Sequence, residues 1–276
     1  MYTVDYNGTE YECVGSGKIK LSDKLFVGDI VDFDGGRINF IVARKNLITR
    51  PNVANIDILI IVISNVPKPD FLLVDKLLIN CRLENITPII CINKLDILDS
   101  TFIKNIKKNY AETEAKILIT SAKMDKGVKK LKKEVKNKLS SFCGQSAVGK
   151  TSILNCLGKN LSLETGELSK KTDRGKHTTR TSQIFKLFKN TYITDTPGFS
   201  KIDLERMDPE RLSLCYPEYI KYSEKCKFRG CTHTDEPQCE IKKLADKGRL
   251  SLDRYNRYVN IQKEIAKEWK NRYGKN

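Results

Sequence analysis

Eight consecutive residues constrain this chain more than any other stretch: Gly144, Gln145, Ser146, Ala147, Val148, Gly149, Lys150 and Thr151. They fit G-x-x-x-x-G-K-[ST], in which the glycines let the backbone curl so that successive N–H groups face a phosphate chain. Lys150 is placed to neutralise the outer phosphates, and the Thr151 hydroxyl to ligate Mg²⁺. Such a loop joins a strand end to a helix start, whose N-terminus adds partial positive charge. Thr151–Leu157 reads as that helix, and Lys138–Cys143 is the available, unusually polar, strand.

The segment before the loop supplies the rest of an α/β parallel sheet. Residues 56–63 form a nearly continuous apolar run, as a strand buried on both faces requires. Phe71–Asn85 reads as a helix, Pro88–Ile92 as a strand, Thr101–Tyr110 as a helix and Ala115–Ile119 as a strand. Ligands of such sheets sit at the carboxyl ends of strands. Two motifs fall there: Asn93-Lys94-Leu95-Asp96, and Ser121-Ala122-Lys123. The Asp96 carboxylate can accept from N1–H and the 2-amino group of guanine, and adenine would leave it unpaired. Asn93 can donate to N7 or hold the next loop, the Lys94 stem can cover the base, and the Ala122 N–H can meet O6. Lys126–Leu139 reads as a basic amphipathic helix leading to the phosphate loop. Downstream, the strand Tyr192–Thr194 runs into Asp195-Thr196-Pro197-Gly198. Asp195 suits water-mediated Mg²⁺ binding and the Gly198 N–H suits sensing of a γ-phosphate. Thr178 or Thr179 would complete the Mg²⁺ shell. The base-reading motifs precede the phosphate loop, the reverse of the usual order, as a circular permutation would produce.

Residues 1–50 contain short alternating runs broken by Gly, Asn and Asp, with strands expected at Tyr11–Val14, Lys18–Leu21, Asp29–Phe33 and Ile38–Ala43. They suit a small β-barrel of about five strands, such as an OB-fold. At the other end, Cys226, Cys231, His233 and Cys239 carry ligand spacing for one closed tetrahedral Zn²⁺ site, with Cys215 an outlying candidate. A long helix is expected from Ser251, with Tyr255, Tyr258, Ile261, Ile265 and Trp269 as its apolar stripe and Arg254, Arg257, Lys263, Lys267 and Lys270 on other faces. The formal net charge of +16 favours a polyanionic partner. No membrane span or signal peptide is expected, and nine scattered cysteines fit a reducing cytoplasm better than a disulfide framework.

Taken together, Arg50-Pro51-Asn52-Val53-Ala54-Asn55, Asn93–Asp96, Gly144–Ser152, Gly175–Thr179, Asp195–Gly198 and the Cys/His set resemble the RsgA family of circularly permuted GTPases, also called YjeQ or YloQ. The resemblance covers essentially the whole chain. It implies an OB-fold at 1–50, a permuted P-loop GTPase domain at 51–205 and a mostly helical zinc-binding domain at 206–276. It also implies GTP hydrolysis stimulated by the small ribosomal subunit, with rRNA contact; a monomer suffices. Ala147 departs from it, since the family usually has Gly there. Where Ras-like enzymes orient water with a Gln after D-x-x-G, this chain has Phe199, and the His177 imidazole is the best replacement. Two rival readings are a permuted GTPase acting on the large subunit and a non-catalytic, nucleotide-dependent RNA-binding module.

Overall fold

A computed structural model describes residues 1–17, 24–49, 52–158, 183–195, 204 and 207–274. β1 (Tyr2–Tyr6) and β2 (Thr9–Gly15) form an antiparallel hairpin. The turn between them, Asn7-Gly8, has φ of 54° and 92°, the two-residue geometry that matches strand twist. β3 (Val31–Asp34) and β4 (Arg37–Ile41) form a second hairpin, and β4 runs parallel to β2. The resulting sheet, ordered β1-β2-β4-β3, buries Cys13 and Ile38 and is consistent with an OB-fold. The hairpin's first strand was not among those expected, and the expected strand Lys18–Leu21 lies outside the described residues. A ribbon of β5 (Leu47–Thr49) and β6 (Asn52–Ala54) leads onward. Buried Asn46 closes it by exchanging two hydrogen bonds with the Ile56 backbone, at 2.8 and 2.9 Å.

The central layer comprises β7 (Ile58–Ile63), α1 (Phe71–Leu83), β8 (Thr87–Ile92), α2 (Ser100–Asn109), β9 (Lys116–Ile119), α3 (Val128–Val135), β10 (Leu139–Cys143), α4 (Lys150–Leu157), β11 (Gln183–Phe188) and β12 (Thr191–Asp195). Its sheet is ordered β11-β12-β10-β7-β8-β9, parallel except for the β11 edge. The apolar run of β7 is buried on both faces because alternate side chains serve two cores. Leu59, Ile61 and Ile63 pack with Val74 and Leu77 of α1 and Ile106 of α2. Ile58, Ile60 and Val62 pack with Leu131 and Val135 of α3 and Ile153 and Leu157 of α4.

The polar strand before the phosphate loop is internal to the sheet. β10 lies between β7 and β12, and Ser140 and Ser141 are both 0% exposed. α3 is shorter than its basic amphipathic pattern predicts. Its N-terminal side is lost because Lys126 pairs with Ser121 through two backbone hydrogen bonds. Its C-terminal side is lost because Asn137 turns left-handed and donates to Thr191 Oγ1 at 2.9 Å, which delivers Leu139 to the sheet.

The C-terminal segment contains a short 3₁₀ helix (Pro209–Cys215), α5 (Pro217–Ser223), α6 (Glu240–Asp246) and α7 (Leu252–Tyr273). The Ser251 side chain caps α7 by accepting from the Arg254 N–H. Tyr255, Tyr258, Ile261 and Ile265 are buried as the stripe predicts, in a core that also includes Ile79 of α1. Trp269 is not in that core; it is half-buried and packs on Tyr273 one turn later. Arg254 and Arg257 do not share the lysines' exposed face. Both reach Asp75 on α1, and Arg254 also donates to Glu218 on α5.

Candidate nucleotide site and metal centre

Three strand ends meet at one edge of the sheet. β8 runs into Asn93-Lys94-Leu95-Asp96, β9 into Thr120–Lys123, and β10 into the loop Gly144–Gly149. Asn93, 2% exposed, joins all three. Its Nδ2 donates to the Val148 carbonyl at 2.9 Å; its Oδ1 accepts from Thr120 Oγ1 at 3.1 Å and from the Ala122 N–H at 3.4 Å. Thr120, whose role as a partner of Asn93 the sequence signals only by its position at the strand end beside Ser121, completes the junction.

Asp96 accepts from the Ser121 hydroxyl at 2.7 Å. That bond, with one from a backbone N–H, holds the carboxyl below its ordinary value, so an ionised, acceptor-only group faces solvent at this edge. Lys94, with φ of 65°, sends Nζ to the Val66 carbonyl at 2.8 Å. Lys123 is exposed beside it.

Within the loop, Lys150 Nζ donates to the carbonyls of Gly144 and Gln145 at 2.8 and 2.7 Å. Burial draws its pKa below that of an ordinary lysine. A Cβ at Gly144 would lie 2.2 Å from the Val62 carbonyl oxygen, and one at Gly149 would lie 2.4 Å from Asn93 Nδ2. Both positions have positive φ, so conformation and space each demand glycine. Gln145 does more than lend backbone: its Oε1 accepts from the Asp70 N–H at 2.9 Å, tying the loop to the start of α1. Ser146 and Ala147 are exposed, Val148 is buried, and Thr151 and Ser152 occupy the first turn of α4.

Ala147 has φ of 62°, a left-handed conformation that is costly for a side chain with a Cβ. Ala147→Gly is expected to raise the stability of the nucleotide-free protein by roughly 0.5–1 kcal/mol, the relieved strain exceeding the added unfolded-state entropy. A thermal unfolding scan checks it; an unchanged or lower midpoint would contradict the strain. Asp195 closes β12. His177, Thr178, Thr179 and Gly198 lie outside the described residues.

The second cluster lies between α5 and α6. The ligand atoms of Cys226, Cys231, His233 and Cys239 all lie within 4.8 Å of one another. His233 Nδ1 stands 3.6 Å from Cys226 Sγ and 3.5 Å from Cys239 Sγ. Tetrahedral Zn²⁺, with Zn–S about 2.3 Å and Zn–N about 2.0 Å, separates nitrogen from sulfur by about 3.5 Å. The donor set is therefore compatible with a zinc ion in size and in chemistry. Burial pushes the Cys231 thiol up to about 12 and raises Cys239, so a metal binding here would displace protons from these thiols. Cys215 is no part of this group; its thiol donates to the Arg211 carbonyl. Glu236, three residues after His233, accepts from Thr232 and Thr234. Burial would raise its pKa, but hydrogen bonds from the Thr232 hydroxyl and from backbone N–H groups bring it down to about 2.

A parallel sheet with an internal strand running into a glycine-flanked loop of phosphate-binding sequence, and an ionised carboxylate two strands away at the same edge, is the arrangement of a P-loop nucleoside triphosphatase. The family model described as RsgA GTPase matches residues 41–205. The small ribosomal subunit biogenesis GTPase RsgA of Agathobacter rectalis is 37% identical, over 95% of this chain and 90% of that one. Its namesake from Clostridium beijerinckii is 37% identical, over 95% and 92%. The crystal structure of YjeQ from Thermotoga maritima superposes with a TM-score of 0.80 at 32% identity, covering 94% of this chain and 91% of that one. That of YloQ, described as a circularly permuted GTPase, gives 0.76 at 28%, covering 97% and 89%. The chain belongs to the RsgA GTPase family. It is a circularly permuted GTPase with the expected fold class, and its family implies a guanine nucleotide and Mg²⁺. Among the described residues, no helix is long and apolar enough to cross a membrane.

Proposed function

We propose that this chain hydrolyses GTP during biogenesis of the small ribosomal subunit, the role stated in its relatives' names. The observation that carries the reading is the Asn93 junction, which ties a base-reading strand end to the phosphate loop through one buried side chain. On this reading Asp96 accepts from N1–H and the 2-amino group of guanine. Ser121 keeps that carboxylate oriented, the Ala122 N–H meets O6, and Lys94 and Lys123 flank the base. Residues 144–152 wrap the phosphates, and Lys150 exchanges its two loop carbonyls for phosphate oxygens. Thr151, Thr178 or Thr179, and Asp195 would hold Mg²⁺, which would supply charge neutralisation when bound. His177 orients the attacking water. As the water oxygen bonds to the γ-phosphorus, the bond to the β–γ bridging oxygen breaks, and the Gly198 N–H registers loss of the γ-phosphate.

Cys226, Cys231, His233 and Cys239, whose ligand atoms lie together, would hold one structural Zn²⁺. The division into 1–50, 51–205 and 206–276 belongs to the same proposal, as do rRNA contact, a monomeric state and a cytoplasmic location. The +16 charge supports a polyanionic partner.

GTP turnover with and without isolated ribosomal subunits tests the reading. Small subunits are expected to raise kcat strongly and large subunits not to. His177→Ala is expected to cut the stimulated rate about 100-fold or more while leaving GTP affinity unchanged. Intact subunit binding without stimulation would overturn the reading.

A further inference from the structure

The metal-ligand loop contains a carboxylate that is not itself among the clustered ligand atoms. Glu236 Oε1 accepts from both the Thr232 N–H and the Thr232 hydroxyl, each at 2.7 Å. Its Oε2 accepts from the Thr234 N–H at 2.9 Å. The two threonine hydroxyls lie 3.0 Å apart and bond each other. One side chain thus fastens both neighbours of His233.

His233 needs that support. It is buried, and its φ of 59° lies in the left-handed region that residues with a Cβ rarely occupy. From α7, the Tyr258 hydroxyl donates to the Thr232 carbonyl at 2.6 Å and the Tyr255 hydroxyl to the Thr234 carbonyl at 3.4 Å. The segment is therefore held on one side through its N–H groups and on the other through its carbonyls. With both flanks fixed, His233 has Nδ1 beside the Cys226 and Cys239 sulfurs.

We propose that Glu236 is a positioning residue of the metal centre, holding the Thr232–Thr234 segment so that His233 presents Nδ1 before the ion arrives. The inference rests on the zinc reading above. A site assembled in advance spares the ion the cost of ordering its own ligand loop. Glu236→Gln keeps the shape of the side chain but replaces one acceptor oxygen by a donor, which opposes an N–H or hydroxyl of the segment.

The test is metal affinity of the full chain, measured for Zn²⁺ by competition with a chromophoric chelator, together with the absorption spectrum of the Co²⁺-loaded protein. Glu236→Gln is expected to weaken Zn²⁺ binding by about 10- to 100-fold. It should leave the tetrahedral Co²⁺ bands and thiolate charge-transfer intensity as in wild type, and leave GDP affinity unchanged. Thr232→Val, which removes the hydroxyl's bonds to Glu236 and Thr234 but keeps both backbone N–H bonds to the carboxylate, should weaken Zn²⁺ binding by a smaller factor and provides the measurement if the glutamate variant does not fold. Unchanged Zn²⁺ affinity in both variants, even with lowered thermal stability, would overturn the inference. So would an altered Co²⁺ coordination spectrum in Glu236→Gln, since Glu236 would then be a ligand. Failure of wild type itself to bind Zn²⁺ would instead overturn the zinc reading.

Discussion

Asp75→Ala is expected to destabilise the protein by about 3–5 kcal/mol, because it removes the carboxylate shared by the buried Arg254 and the partly buried Arg257. Asp75 is 0% exposed on α1 and accepts from Nε of Arg254 at 3.0 Å and Nε of Arg257 at 2.5 Å. Arg254 lies between the rings of Tyr110 and Tyr216, 5.2 and 4.8 Å from their centroids. The remaining buried carboxylate, Glu218, cannot compensate both cations. It accepts from Arg254, and burial raises its pKa despite that partner. The cluster is no net source of stability relative to a well-packed apolar one; the cost arises from removing one member. Urea unfolding at neutral pH measures it, with Glu112→Ala as control, since its pair with Lys221 is exposed and worth little. A loss below about 1 kcal/mol for Asp75→Ala would show that water reaches the arginines.

The second large effect falls on nucleotide choice. Asp96→Asn is expected to lower GDP affinity on the order of 100-fold or more and to favour xanthine nucleotides over guanine ones. The present carboxylate offers only acceptors, and the Ser121 hydroxyl lowers its pKa further. An amide places a donor against one guanine N–H, whereas the 2-oxo group of xanthine accepts from it. Competition between guanosine and xanthosine diphosphates reads the outcome directly. Unaltered preference would remove Asp96 from the base site.

The local elements were legible because local chemistry specifies them. The alternation of β7 between two cores follows from six consecutive apolar residues. The turn at Asn7-Gly8 follows from residues that tolerate positive φ, although the strand before it did not stand out, and the buried face of α7 follows from its three- and four-residue period. The glycine-flanked loop, Asn93–Asp96 and the Cys/His set, which the fold gathers into two clusters, stood out in the sequence because the ligand chemistries proposed for them require certain residue types within a few positions.

Tertiary structure decided what depends on partners distant in sequence. A stripe shows which face of α7 is buried, but Arg254 reads only as part of a basic face outside that stripe until Asp75, 179 residues away, accepts from it. Ser140 and Ser141 read as a poor strand, yet the neighbours β7 and β12 make that strand internal. The side chains of Gln145 and Glu236 gain their roles from the Asp70 N–H and from the Thr232–Thr234 loop geometry. By itself, the sequence determined which chemistries this protein carries, since those reside in side-chain types at short spacing. Only the fold decided which charges are internal and which loops are held, because burial and charge compensation are properties of pairs brought together in space.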